Sequence, residues 1–127
     1  MTEAADYDAI GRSIQQQLTG GQAGDEQLAQ FPPARLAPDF FALVRQFCFG
    51  MFWSRPNLSL RDRSMITVAM LAAMGKQDEL RGHLAGALRM GVSKDELVEV
   101  LMQVGVYAGV PAAVSALSTA ATVLGTD

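Results

Sequence analysis

Hydrophobic positions along this chain recur with the 3.6-residue period of helices, and nowhere in the second half do they alternate with period two between hairpin turns. Tyr7, Ile10, Ile14 and Leu18 give residues 2–18 a helical stripe, which Gly20-Gly21-Gln22-Ala23-Gly24-Asp25 breaks into a loop. After Pro32-Pro33, a dense apolar run from Phe40 to Trp53 follows Pro38 and Asp39, a proline and an acid placed as a helix start prefers. A third helix is expected from Ser59, a capping hydroxyl with Asp62 three residues on, through Met65–Met74 to Gly75. It is apolar all round and should lie at the centre of the core. A fourth runs from Gln77 to Met90 and stops at Gly91, with Leu80, Leu84, Ala87 and Leu88 as its core stripe. Val92-Ser93-Lys94-Asp95-Glu96-Leu97 is a complete start signal, with Ser93 and Glu96 as a capping box and Val92 stapled to Leu97. The fifth helix then reaches about Gly105 or Tyr107, and a sixth runs from Pro111 to Val123. The pattern predicts an all-α chain of about six helices. One domain is expected over residues 1–127, with an N-terminal helix and loop at 1–38 and a core at 39–123.

Composition narrows the function. Half of the 127 residues are apolar and 18% are charged, which excludes a disordered chain. That much apolar surface exceeds what six short helices can bury among themselves, so a homo-oligomer is expected, with Gly82, Gly86, Ala112, Ala113 and Ala116 allowing close helix contacts. The net charge of −3, with Arg55, Arg61 and Arg63 as the densest basic cluster, argues against nucleic acid. The uncharged stretch 100–126 is long enough for a membrane span. Gly105, Gly109 and Pro111 interrupt it and no Lys or Arg flanks it, so it reads instead as a buried helix pair. The acidic start Met1-Thr2-Glu3-Ala4-Ala5-Asp6 carries no secretory pattern, so a cytoplasmic protein is expected. A single cysteine, Cys48, excludes an internal disulfide, a Cys-x-x-Cys pair and a multi-thiolate zinc site, and a single His83 excludes a polyhistidine metal site. Neither metal nor cofactor is expected, and Cys48 and the seven Met read as core filler.

His83 is the one side chain that ordinarily titrates near neutrality, and Glu79 lies one helical turn before it. A carboxylate so placed can orient an imidazole for general acid or base work; the alternative is a surface pair. Trp53-Ser54-Arg55-Pro56 joins two helices. Arg55 beside Trp53 can grip a carboxylate against a dry wall, or the segment is only a turn. Arg63 precedes an apolar stretch and is expected to point further inward than Arg61. Tyr107-Ala108-Gly109-Val110-Pro111 breaks two helices, where a phenol and freed backbone groups can line a cavity or simply mark a kink.

Taken together, Trp53-Ser54-Arg55-Pro56 with Leu58, Arg61 and Arg63, then Glu79-Leu80-Arg81-Gly82-His83 with Ala87-Leu88 and Gly91, then Glu96, Glu99 and Tyr107-Ala108-Gly109-Val110-Pro111 resemble the carboxymuconolactone decarboxylase family over about residues 40–123. The resemblance implies the all-helical alkylhydroperoxidase-D-like fold, trimers or hexamers, and pockets near subunit contacts. It also separates two chemistries. The peroxidase-like branch carries Cys-x-x-Cys before its histidine. The matching positions here hold Lys76 and Glu79, with Ser64 at an upstream glutamate, so thiol peroxidase chemistry is excluded. The other branch implies a cofactor-free decarboxylase acting on 4-carboxymuconolactone. There His83, oriented by Glu79, would protonate a dienolate, and Arg55 or Arg63 would hold a carboxylate. Tyr107 or a backbone N–H would stabilise the oxyanion and Trp53 would wall off water. Met51-Phe52, Ser64 and Met90 depart from the family pattern and make the site less polar. Recruitment as an isomerase or cyclase on a more apolar lactone or β-keto substrate therefore stays open, as does a non-catalytic binding or assembly subunit.

Overall fold

The computed structural model describes residues 5–127, and of residues 22–25 only the backbone; positions 2–4 of the first expected helix lie outside the described residues. Among the described residues there are eight α-helices, one π-helical segment and no strand. They are α1 (Tyr7–Thr19), α2 (Gln22–Gln30), α3 (Pro32–Leu36), α4 (Pro38–Val44), the π-helical segment Arg45–Phe52, α5 (Leu60–Met74), α6 (Gln77–Arg89), α7 (Lys94–Ala108) and α8 (Val110–Leu124). The all-α expectation holds, with more helices than the expected six. The glycine-rich stretch expected as a loop shrinks to a turn at Gly20-Gly21, both at positive φ, and the chain resumes as α2. A further helix, α3, opens on Pro32-Pro33.

The helices form two compact units, one ending at Leu58 and one running from Ser59 to Asp127. In the first, α1 packs on the π-helical segment. A Cβ on Gly11 would collide with the Arg45 carbonyl, and one on Gly50 with the Tyr7 carbonyl, so both positions need glycine for the approach. The two elements are also tied by charge. Arg45 Nε donates to Asp8 Oδ1 at 2.8 Å and Gln46 Nε2 donates to the same oxygen at 3.4 Å, which holds the Asp8 carboxyl below the usual range.

In the second unit the helix ends form where the local chemistry puts them. Ser59 Oγ accepts from Asp62 N at 3.0 Å, and the Ser93–Glu96 capping box is complete. Gly75 (φ 72°) and Gly91 (φ 91°) close α5 and α6, with Lys76 N donating to Leu71 O and Val92 N to Ala87 O, both at 3.0 Å. Leu80, Leu84, Leu97, Leu101 and Val68 are fully buried, with Val92 beside them, and form the core with Ala72, Ala87, Ala116 and Ala120. Leu88, expected in the stripe, is 39% exposed.

Two further expectations are corrected. α5 is not enclosed: its Val68–Ala72 face is buried, whereas Ile66, Met70 and Met74 are exposed. The segment 100–126 is likewise not a fully buried pair, because Val106, Tyr107, Val110 and Val114 are exposed. Each helix of this unit has at most three others to lean on, which leaves the outward side of an all-round apolar helix uncovered.

Glu96 also binds Arg61 across the unit, so one carboxylate caps α7 and ties it to α5. These donors bring its pKa from 4.5 to about 2. The native value lies below the unfolded one, so this contribution to stability is complete above pH 4.5 and is lost as pH falls toward 2. Glu96→Gln is therefore expected to flatten the stability-against-pH curve between those limits, as urea denaturation at a series of pH values will read.

Candidate active site

α6 starts with Asp78 and Glu79 in its first turn, where the N-terminal end of a helix favours acids. Its Leu80, Leu84 and Ala87 face is fully buried and anchors the helix in the core. His83 sits beside that face, half-buried, with the exposed Glu79 one turn before it. Burial lowers the His83 pKa from its ordinary 6.5, and the Glu79 carboxylate works against that shift. The resting imidazole is therefore neutral at pH 7, and a second negative charge brought near it would favour its acid form.

Two arginines lie on α5. Arg61 is engaged by Glu96, and Arg63 is half-buried with its Nε atom sealed from solvent. Ser64 is fully buried and donates its hydroxyl to Leu60 O at 2.8 Å, which keeps it within its own helix.

Tyr107 lies elsewhere in this unit. It is 84% exposed at the end of α7 and lines an almost wholly apolar groove of about 490 Å³ between α5 and α7, with Met65, Ile66, Met70 and Val104. His83, Glu79 and Arg63 do not line this groove. Trp53 and Arg55 belong to the first unit, at the end of the π-helical segment. Trp53 is half-buried with its ring tilted 33° against Phe49 at 5.6 Å, and Arg55 is exposed with its backbone N–H donating to Phe52 O at 3.1 Å. The structure thus brings Glu79 and His83 together and sets Tyr107 on a separate surface of the same unit.

Two features escaped the sequence reading. Met65 and Met70, read as core filler, line the groove; their spacing with Ile66 on an all-apolar helix was the available signal. The Thr119 hydroxyl donates to Gln77 Oε1, pinning the start of α6 to α8, a contact across 42 positions that no local pattern marks. Among the described residues no cluster of three or more His, Cys, Asp or Glu is close enough to hold a metal ion, and no helix is long and apolar enough to cross a membrane.

Residues 38–122 match the model of the carboxymuconolactone decarboxylase family. The chain belongs to this family. Within it, the chain is 44% identical over 82 residues to a protein named 4-carboxymuconolactone decarboxylase from Acinetobacter baylyi, covering 65% of this chain and 61% of that one. It is 31% identical over 75 residues to the nitrosuccinic acid decarboxylase npaB of Metarhizium robertsii, covering 59% of this chain and 52% of that one. An uncharacterized 15.0 kDa protein from the nqo9-nqo10 intergenic region of Paracoccus denitrificans is 29% identical over 91% of this chain and 93% of its own length. The chain spans little more than half the length of the two named decarboxylases. The family match covers His83, Glu79, Arg63, Trp53, Arg55 and Tyr107, and leaves α1, α2 and α3 outside.

Proposed function

We propose that this protein is a cofactor-independent carboxy-lyase acting on 4-carboxymuconolactone or a closely related small lactone acid. The observation that carries the reading is His83, half-buried on α6, partly desolvated and one turn from Glu79. The likeness to a named 4-carboxymuconolactone decarboxylase supports the substrate. In this reaction the bond to the departing CO2 breaks heterolytically, and its electron pair passes through the ring alkene to the lactone carbonyl. The resulting dienolate takes a proton on carbon, so the net change consumes the carboxylate and one proton and yields CO2 and the enol-lactone. The substrate supplies its own electron sink. His83 delivers the proton and regains one from water, and Glu79 helps keep the imidazolium. Arg63, on α5 of the same unit, holds a substrate carboxylate. The chain 1–127 acts as one functional domain. It works as a homo-oligomer, trimer or hexamer, in which the exposed Ile66, Met70, Val106 and Val110 find cover.

The proton donor gives the pH dependence a sign. The active form of His83 is protonated and its pKa lies below 6.5, so kcat/KM is expected to fall as pH rises through a value under 6.5. Glu79 raises that pKa, so Glu79→Gln is expected to move the fall to still lower pH. The deciding assay follows CO2 release and enol-lactone formation from freshly generated 4-carboxymuconolactone, without added metal or thiol. Enzymatic turnover with that profile supports the reading. A well-folded protein with no turnover overturns it. The apolar groove that Tyr107 lines favours one other reading, recruitment as an isomerase or cyclase on a less polar lactone or β-keto acid; conversion of such a substrate without CO2 release would select it.

A further inference from the structure

The first unit holds a cavity of about 300 Å³ among α1, α2, α3, α4 and the π-helical segment, and its chemistry differs from that of the groove in the other unit. Arg12, Gln15 and Arg45 contribute polar groups to its lining, and Leu28, Pro38 and Phe41 apolar ones. Arg45 is held in place by Asp8, to which its Nε and a terminal nitrogen each donate at 2.8 Å. A guanidinium carries five N–H donors in a rigid fork, so this clamp fixes the group while leaving donors beyond the two that Asp8 takes. Asp8 also feels Arg12, so the three groups together carry one net positive charge in a chain whose total is −3. Glu26 and Asp39, on the surrounding helices, are exposed and do not line the cavity. Phe41, also in the lining, is fixed edge-on between Phe31 and Phe40, at 5.9 and 5.6 Å between ring centroids.

We propose that this cavity is a binding site for a small monocarboxylic acid with an apolar, preferably aromatic, body. The carboxylate meets Arg12 and Arg45 with Gln15 beside them, and the body lies against Phe41, Pro38 and Leu28. One net positive charge matches a monoanion better than a dianion. At about 30 Å³ per non-hydrogen atom, the volume of a liquid water molecule, the cavity takes a ligand of roughly ten such atoms. The cavity is lined by the first unit alone, and His83 belongs to the second. Arg12, Gln15 and Leu28 lie before residue 38, outside the part of the chain that matches the family model.

The test is a titration of the ¹⁵N-labelled full chain with benzoate, with its neutral counterpart benzamide as control, followed by amide chemical shifts. Saturable shifts are expected on α1 around Arg12 and Gln15 and on α4 around Phe41 and Ala42, with benzamide binding at least fivefold more weakly. Arg12 is exposed, so Arg12→Gln should fold normally and weaken benzoate about fivefold or more. Ala29→Trp, at an exposed lining position, should fill the cavity and abolish the shifts, whereas Arg63→Gln should leave them unchanged. Absence of saturable shifts, shifts centred on α6 and untouched by Arg12→Gln, or equal binding of benzamide would each overturn the site. None of these outcomes bears on whether 4-carboxymuconolactone is turned over.

Discussion

His83→Ala is expected to lower the turnover of 4-carboxymuconolactone by about 10²- to 10⁴-fold, the usual contribution of a positioned proton donor. The chain has one histidine, so no second imidazole can take over. The fold should survive, because alanine is a strong helix former and the side chains anchoring α6, Leu80, Leu84 and Ala87, are untouched. The substitution should also leave a thermodynamic mark. The native His83 pKa lies below 6.5, so the folded protein resists protonation there and loses stability as pH falls through that region. Removing the imidazole removes the loss, and the variant should gain on the parent between pH 7 and pH 5 in chemical denaturation. A variant that keeps full activity would take the proton-donor role from His83. A variant that unfolds at pH 7 would make the residue structural.

How much of this was legible in the sequence depends on the range of the interaction concerned. The caps at Ser59 and Ser93 and the stops at Gly75 and Gly91 rest on contacts within one turn, and each formed where the sequence put it. The Glu79–His83 pairing is legible for the same reason, since spacing on one helix fixes their shared face. The face an apolar helix turns outward was not legible. α5 and the α7–α8 pair read as buried from their residue types, but which side is covered depends on how many neighbours each helix has. The helix at 22–30 was hidden behind Gly20 and Gly21, which form the turn before it, and Gly24, a poor helix former that lies inside it. The division of labour between Arg61 and Arg63 also rests on a distant partner, because Glu96 stands 35 positions from Arg61. Membership of the family was legible because it lies in the order and spacing of short motifs. The placement of Tyr107 was not, because the groove it lines requires α5 and α7 to be side by side.

The largest stability change is expected at Leu84. It is fully buried on α6, one residue from His83, among Leu80, Leu97 and Leu101. Truncation to alanine removes three carbon atoms from a site closed by four helices, and the neighbours cannot all move in, so the cost is the lost burial plus that of the cavity left behind. For a buried leucine this amounts to about 2–5 kcal/mol. For a unit of this size it corresponds to a fall in Tm on the order of 10–40 °C. Leu88→Ala is the matched control. It lies one turn further along the same helix and has the same side chain, but it is 39% exposed and leaves no closed cavity, so it should cost less than about 1 kcal/mol. The sequence alone set these two leucines on one stripe and would give them similar costs. Thermal melts of the two variants decide between the readings: a wide gap means that α6 is buried along Leu80, Leu84 and Ala87, which sets His83 at the edge of the core. Equal costs would mean that α6 is rotated about its axis, and the half-buried position from which His83 draws its lowered pKa would be lost with it.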